Sequence, residues 1–274
     1  MTDLPEVTSV ALASQEKGTF LVRVTPVVLT LNEEANIGRC LASLLWAERV
    51  IIIDSGSSDR TREVATSFTN TEVHSREFDS FAGQWNFGIS LVATDWVLAL
   101  DADYILPPPF VEELRALRPE LGLGCYSAGF DYCVFGKPLR SSLYPRRPVL
   151  FERSGARFVM DGHRQKLATP HSSALLSNRL RHDDRKSMRC WMQNQVSYAQ
   201  AESEKLTCSK YSELSLADRL RKTKVLGPPA VAFYCLIVKG LFLDGWRGLY
   251  YSGERVAAEL MLSLQVIRTT FGQE

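Results

Sequence analysis

From Val24 onward, short apolar runs alternate with stretches whose apolar residues recur at helical spacing. "VTPVVLT" (24–30) predicts a strand, with Pro26 near its beginning, where a missing N–H is least damaging. In "NEEANIGRCLASLLW" the apolar residues Ile37, Leu41, Leu44 and Leu45 predict a helix. "RVIIIDSGSSDRT" reads as a continuous apolar strand stopping at Asp54, then a Gly/Ser turn and a helix from Asp59. "TEVHS" is a weaker third strand, residues 81–92 suit a helix, and "WVLALDAD" is a fourth strand.

Strands alternating with helices imply an α/β fold whose mostly parallel sheet is covered on both faces. Ligands of such sheets bind beyond the carboxyl ends of the strands. Asn32, Asp54 and the pair Asp101/Asp103 all fall at such ends, so three strands aim polar groups at one crevice.

Past Pro109 the order loosens. "FVEELRALR" is a short helix, "GLGCYSAGFDYCVFG" and "RPVLFERSGARFV" have strand character, and "ALLSNRLRHDD" is a further strand leaving acids at its end. Residues 185–221 read as charged helices. The economical division is a loose arm over residues 1–22, a catalytic domain over 23–225 and a helical extension over 226–274.

Composition narrows the classes. The 32 Lys+Arg against 31 Asp+Glu give no global attraction to nucleic acid, and no nucleic-acid partner is expected. Six cysteines without a CxxC pair read as thiols in a reducing compartment and spell no zinc site. The first residues lack a basic start followed by an apolar core, so no signal peptide is expected. No window offers 18 uncharged apolar residues, so no spanning helix is expected. "AVAFYCLIV" followed by "KGLFLDGWRGLYY" does supply apolar, aromatic and basic groups suited to a bilayer interface, or alternatively to a buried helix.

The candidate chemistry sits at the strand ends. Asp101 and Asp103 can converge on one hard divalent cation, which prefers carboxylate oxygens and accepts phosphate oxygens as co-ligands. Asp54 can accept a hydrogen bond from a base or ribose, Asn32 and Glu33 stand near the same edge, and Gly56 lets the backbone approach a ligand closely. Ser57 to Asp59 also suit a helix cap. Gln84 and Asn86 lie near the start of a helix and either cap it or face the crevice. "MDGHRQKL" offers Asp161 and His163, and "RLRHDDRKS" offers His182 with the doublet Asp183/Asp184. Neighbouring like charges suit a carboxylate to general-base work, while Arg181, Arg185 and Lys186 oppose that effect.

"TLNEEANIGRCLASL", "VIIIDSGSSDRTREVA", "FAGQWNFGIS" and "WVLALDADYILPP" together resemble family 2 glycosyltransferases of the GT-A fold, nearest to the bacterial lipopolysaccharide core glucosyltransferase group. The resemblance runs continuously from Val24 to Pro109, with weaker likeness in "HDDRKSMRCWMQNQVSYAQAESEKL" and "GLFLDGWRGLYY". It implies a Rossmann-like nucleotide-diphospho-sugar transferase fold and an inverting transfer from a nucleotide-sugar, a UDP-sugar favoured, to a glycan or lipid-linked glycan. It implies Asp54 at the nucleoside, and Asp103 with Asp101 holding Mg²⁺ or Mn²⁺ on the diphosphate. The resemblance further implies a base at Asp183 or Asp184, with Asp161 as the alternative, His163 on the acceptor side and His182 near the metal or diphosphate. The implied location is the cytoplasm, with peripheral contact at the inner membrane. Tyr104 stands where many relatives have glutamate, and Trp85 where many have a basic residue, which bears on donor or acceptor contacts. Competing accounts are a nucleotidyltransferase, whose triphosphate loop is missing from "LTLNEEANIG", and a binding module that has lost its base.

Overall fold

The computed structural model describes residues 20–120, 122–161 and 164–272. The arm expected over residues 1–22 lies, as far as residue 19, outside the described residues. Phe20–Arg23 form one 3-10 turn leading into the first strand.

Four strands make the parallel half of the sheet: β1 (Val24–Thr30), β2 (Val50–Asp54), β3 (Thr71–Ser75) and β4 (Trp96–Asp101). β1 lies between β2 and β4, and β3 flanks β2. The apolar runs of β1, β2 and β4 follow from burial on both faces, as a parallel sheet under helices requires, whereas β3, TEVHS, is only half-buried. The sheet continues through β5 (Tyr104–Ile105), β6 (Leu123–Val134), β8 (Arg147–Glu152) and β11 (Ser172–His182), in the order β3-β2-β1-β4-β8-β6-β11-β5. Here β8 runs antiparallel to both β4 and β6, and β5 antiparallel to β11. A short β7 (Lys137–Pro138) pairs with β6, while β9 (Arg157–Asp161) and β10 (Arg164–Ala168) form a separate two-stranded sheet.

Helices α1 (Ile37–Ala42), α2 (Thr61–Thr66), α3 (Phe81–Ser90) and α4 (Pro108–Ala116) follow the strands. α1 is much shorter than the helical spacing of residues 32–46 predicts. Asn32 takes a left-handed backbone, φ 53°, and at the other end the Ser43 hydroxyl donates to the Cys40 carbonyl, 2.7 Å. Both ends are therefore held in turns by side-chain chemistry that competes with the helix.

Two compact units result. The first holds the described parts of Met1–Phe130, Pro145–Val159 and Lys166–Asp184. One face of its sheet packs Val27, Ile51, Ile53 and Val97 against Ala82, Trp85 and Ile89 of α3, and Phe158 stacks on Trp85 at 5.4 Å. Each such side chain fully buried contributes about 1.5–3 kcal/mol.

The second unit holds Asp131–Tyr144 and the described parts of Met160–Gln165 and Arg185–Glu274. Its helices are α5 (Met188–Cys208), α6 (Leu216–Lys222), α7 (Gly227–Phe233) and α8 (Trp246–Phe271). Leu206 of α5 packs with Leu262 and Val266 of α8, and the Arg221 guanidinium donates to both carboxylate oxygens of Glu259. Tyr251 is wholly buried, its hydroxyl accepting from the Leu143 N–H at 2.8 Å. Among the described residues no helix is long and apolar enough to cross a membrane.

The contact between α3 and the sheet is close enough to test. A Cβ added at Gly88 would stand 2.6 Å from Val27 Cγ1 and 3.2 Å from Ile53 Cγ1. Gly88→Ala is therefore expected to destabilise the protein by about 1–3 kcal/mol, despite alanine's better helix propensity. Urea unfolding checks this; an unchanged midpoint would mean that α3 does not seat on β1 and β2 as described.

Candidate active site

The register of the parallel strands decides which side chains meet. Thr30 lies beside Asp54, and Leu29 beside Asp101, so the ends of β1, β2 and β4 are level within one residue. The loops leaving β1 and β2 are then laced together. The Asn32 N–H donates to Ser57 Oγ (2.9 Å), and the Ser58 N–H to Asn32 Oδ1 (2.9 Å). The Glu34 N–H donates to Asp59 Oδ2 (3.1 Å), and the Arg60 N–H to Glu34 Oε2 (3.1 Å).

Asp54 is wholly buried, and both its oxygens accept from the Ser57 N–H at 3.0 Å. It shapes the turn of residues 55–58, whose Gly56 sits at φ 92°, a region that favours glycine. What solvent reaches here is the turn, with Gly56 and Ser58 exposed, rather than the Asp54 carboxylate. Asp59 supplies the cap expected at Ser57–Asp59. Burial alone would raise its pKa, but hydrogen bonds from the Thr61 hydroxyl, the Thr61 N–H and the Glu34 N–H hold it below the usual carboxylate range.

The later acids arrive by a different route. β11 pairs with β5, His182 beside Tyr104 and Arg181 beside Ile105, which carries the end of β11 to the turn after β4. The Asp183 N–H donates to the Asp103 carbonyl, 3.0 Å, and His182 Nε2 lies 3.4 Å from Asp103 Oδ2. The doublet thus lies beside the DxD segment, and α1 closes the group from the other side. Arg39 Nη1 donates to Asp183 Oδ2 (2.6 Å) and Nη2 to the Asp183 carbonyl (2.9 Å). Asn36 Nδ2 lies within donating distance of both Glu33 Oε2 (2.7 Å) and Asp184 Oδ1 (2.9 Å), and its own Oδ1 accepts from Arg39 (2.7 Å). Glu33 and Asp183 are buried, whereas Asp101, Asp103 and Asp184 keep part of their surface in solvent. Glu33 therefore belongs to the framework of the site. Asp101 pairs with Arg147 of β8 at 3.6 Å.

The field of this group reaches the Cys40 thiol. Burial pushes its pKa far up, Asp103, Glu33 and Asp101 push it further, and Arg39 opposes them. Cys40 is thus a neutral thiol beneath a negative cluster.

Among the described residues no three His, Cys, Asp or Glu side chains form a ready metal cage. Asp101 and Asp103 nonetheless fit a hard divalent ion in donor chemistry. Mg²⁺ in particular is commonly held by one or two carboxylates, with substrate phosphates and water completing its shell.

Gln84 and Asn86 hold backbone instead of joining the acids. Gln84 Nε2 donates to the Glu77 carbonyl, 2.9 Å. Asn86 donates to the Phe158 carbonyl (3.0 Å) and accepts from the Phe158 N–H (2.8 Å). Asp161 ends β9 in the second unit, and Gly162 and His163 lie outside the described residues. Sequence reading missed Asn36, Arg39 and Arg147. Asn36 and Arg39 stand three residues apart, which places them on one helical face, and that polar face beside NEE was the available signal. Arg147 lies on β8, and nothing local ties it to Asp101.

Two outcomes follow from this geometry. Arg39→Met leaves the Asp183 carboxylate buried without its guanidinium, and since Arg39 is itself one-third exposed, a loss of about 2–3 kcal/mol is expected. Chemical denaturation measures it, and Arg39→Lys should recover only part, because the fork that holds carboxylate and carbonyl together is gone. The pKa of Asp59 is lower in the folded chain than the unfolded value of about 3.9. Its stabilisation is therefore present above that pH and lost as the pH falls through the folded value. Asp59→Asn should flatten the acid limb of the stability profile; an unchanged limb would contradict the assignment.

Residues 26–161 match the model of "Glycosyl transferase family 2". A lipopolysaccharide core biosynthesis glycosyltransferase, LpsC, of Rhizobium meliloti is 34% identical over 98 residues, 34% of this chain and 35% of that protein. An uncharacterized glycosyltransferase of Rickettsia typhi is 31% identical over 94 residues, 34% of this chain and 32% of that one. The chain thus spans about a third of the length of these curated relatives. Among solved structures, S. aureus TarS 1-349 in complex with UDP-GlcNAc aligns with a TM-score of 0.48 at 12% identity, over 91% of this chain and 92% of that one. The four level parallel strands, the antiparallel half beyond β4 and the family match together give the GT-A fold. Through the domain formed by residues 26–161, the chain belongs to glycosyltransferase family 2.

Proposed function

We propose that the chain is an inverting, metal-dependent glycosyltransferase that moves a hexose from a nucleotide-diphosphate donor, a UDP-sugar favoured, to a bacterial surface glycan or lipid-linked acceptor. The observation that carries this reading is the meeting of Asp101, Asp103 and Asp184 in one group, within the same unit as the Asp54 turn. The similarity to LpsC supports an acceptor of the lipopolysaccharide core kind. In this reading the catalytic domain is residues 23–225, and the enzyme works in the cytoplasm with peripheral contact at the inner membrane.

Asp54 serves the nucleoside end of the donor through the turn it holds, and Asn32 braces the same turn by accepting from Ser58. Asp101 and Asp103 would hold Mg²⁺ or Mn²⁺. Bound there, the ion would offset the negative charge that gathers on the departing diphosphate. The transfer also needs a base on the face opposite the leaving group, and Asp184 is the better member of its doublet. It keeps solvent access, and Asn36 fixes its Oδ1, so it can take the acceptor hydroxyl's proton from a set position. Asp183 is buried against Arg39 and positions its neighbour. Asp161, in the segment MDGH, is the alternative base.

Transfer from a panel of UDP-, GDP- and dTDP-sugars tests the reading. Asp103→Asn should abolish metal-dependent transfer with the fold intact. Asp184→Asn should lower kcat by about 10²–10⁴ and leave donor binding in place. Near-normal transfer by Asp103→Asn would sink the metal role, and a full kcat in Asp184→Asn would move the base to Asp161.

A further inference from the structure

In the second unit, the segment from α7 to the start of α8 is apolar on two sides. One side builds the core, with Cys235, Leu241 and Tyr251 almost wholly buried beside Val134 and Leu139. After α7 the chain makes a wide turn, the Lys239 N–H donating to the Tyr234 carbonyl at 2.9 Å, and then a 3-10 turn over Leu241–Asp244. The other side should be polar if it met only water. Instead Phe233, Ile237, Val238, Phe242, Trp246 and Leu249 stand on it, each between 53% and 62% exposed. Phe135, from the turn between β6 and β7, extends the patch, its ring 5.4 Å from Trp246 and 5.1 Å from Tyr250. So many exposed apolar side chains concentrated in one short segment mark an interaction site.

The charges choose the occupant. Between Lys224 and Gly253 the only acid is Asp244, and it is held by Arg140, whose Nε and N–H both donate to its carboxylate at 3.1 Å. Lys239, over the Tyr234 ring at 5.6 Å, and Arg247 supply positive charge within the apolar segment, and Lys137 is exposed in β7. A two-fold dimer centred on this patch would oppose these cations to themselves, with Asp244 held by Arg140 and Glu254 bonded to Tyr250. An anionic lipid surface answers both features, since aromatic and aliphatic side chains enter the headgroup boundary while Lys and Arg meet the phosphates.

We propose that residues 226–250, with Phe135, form a monotopic docking surface for anionic bilayers. The proposal rests on the lipid-linked acceptor only for its purpose, since vesicle binding is read without donor or acceptor and the two readings can fail separately.

Co-sedimentation of the full chain with phosphatidylglycerol-containing vesicles, against phosphatidylcholine alone, is the test. Binding should need the anionic lipid, and Trp246 emission should shift to the blue. Lys239→Gln and Arg247→Gln should each weaken binding roughly fivefold. Phe233→Ser with Phe242→Ser and Trp246→Ser should abolish it with circular dichroism unchanged. If the triple variant misfolds, the two charge variants and the emission shift still decide. No vesicle binding, equal binding to both lipids, or a dimer in light scattering that the same substitutions dissolve would each overturn the proposal.

Discussion

Carboxylates brought to one place repel each other, and two unit charges about 4 Å apart near a protein surface cost about 4 kcal/mol. The end of this sheet gathers Glu33, Asp101, Asp103, Asp183 and Asp184, so the arrangement depends on how that repulsion is offset. Arg39 answers the most buried member by holding the side chain and the carbonyl of Asp183 together. Arg147 approaches Asp101, His182 approaches Asp103, and the Asn36 carboxamide links Glu33, Asp184 and Arg39. Remaining negative charge, at the partly exposed Asp101, Asp103 and Asp184, is what a cation or an acceptor proton would answer. The cluster thus keeps its accessible charge at Asp101, Asp103 and Asp184, while Asp183 is paired with Arg39 and Glu33 is bonded by Asn36.

The division of labour between buried and exposed acids gives the site its precision. Asp54, Glu33 and Asp183 shape loops, and the accessible acids inherit fixed positions from them. Reciprocal hydrogen bonds between the loops after β1 and β2 do the same for the turn around Gly56. Rigid strands with level ends supply the coarse placement and side-chain to backbone bonds supply the fine one, as a preorganised site requires.

Much of this was legible in the chain itself. β1, β2 and β4 announce themselves because burial on both faces demands continuous apolar runs, and the ends of β2 and β4 are marked by Asp54 and Asp101, whereas the half-buried β3 leaves only the weak signal of TEVHS. The residues from Asn32 to Trp46 misled by their helical spacing, because periodicity cannot register the left-handed Asn32 or the Ser43 hydroxyl on Cys40. The amides of Gln84 and Asn86 could cap their helix or face the crevice; Gln84 instead holds the Glu77 carbonyl just before that helix, and Asn86 holds Phe158, 72 residues away and out of reach of local pattern. For the same reason Arg147 was invisible: its relation to Asp101 arises only when β8 folds antiparallel onto β4. The join between the doublet and DxD was half visible, as an acidic end to an apolar strand, but the partner came from the pairing of β11 with β5.

In the proposed reaction Asp101 and Asp103 form half of a metal site that the donor diphosphate completes. Electron paramagnetic resonance of Mn²⁺, titrated with the chain in the presence and absence of UDP, reads this most directly. Mn²⁺ alone should bind weakly and bind strongly once UDP is present, with that gain lost in Asp103→Asn. Tight Mn²⁺ binding without nucleotide, or UDP binding indifferent to both the metal and Asp103, would contradict it.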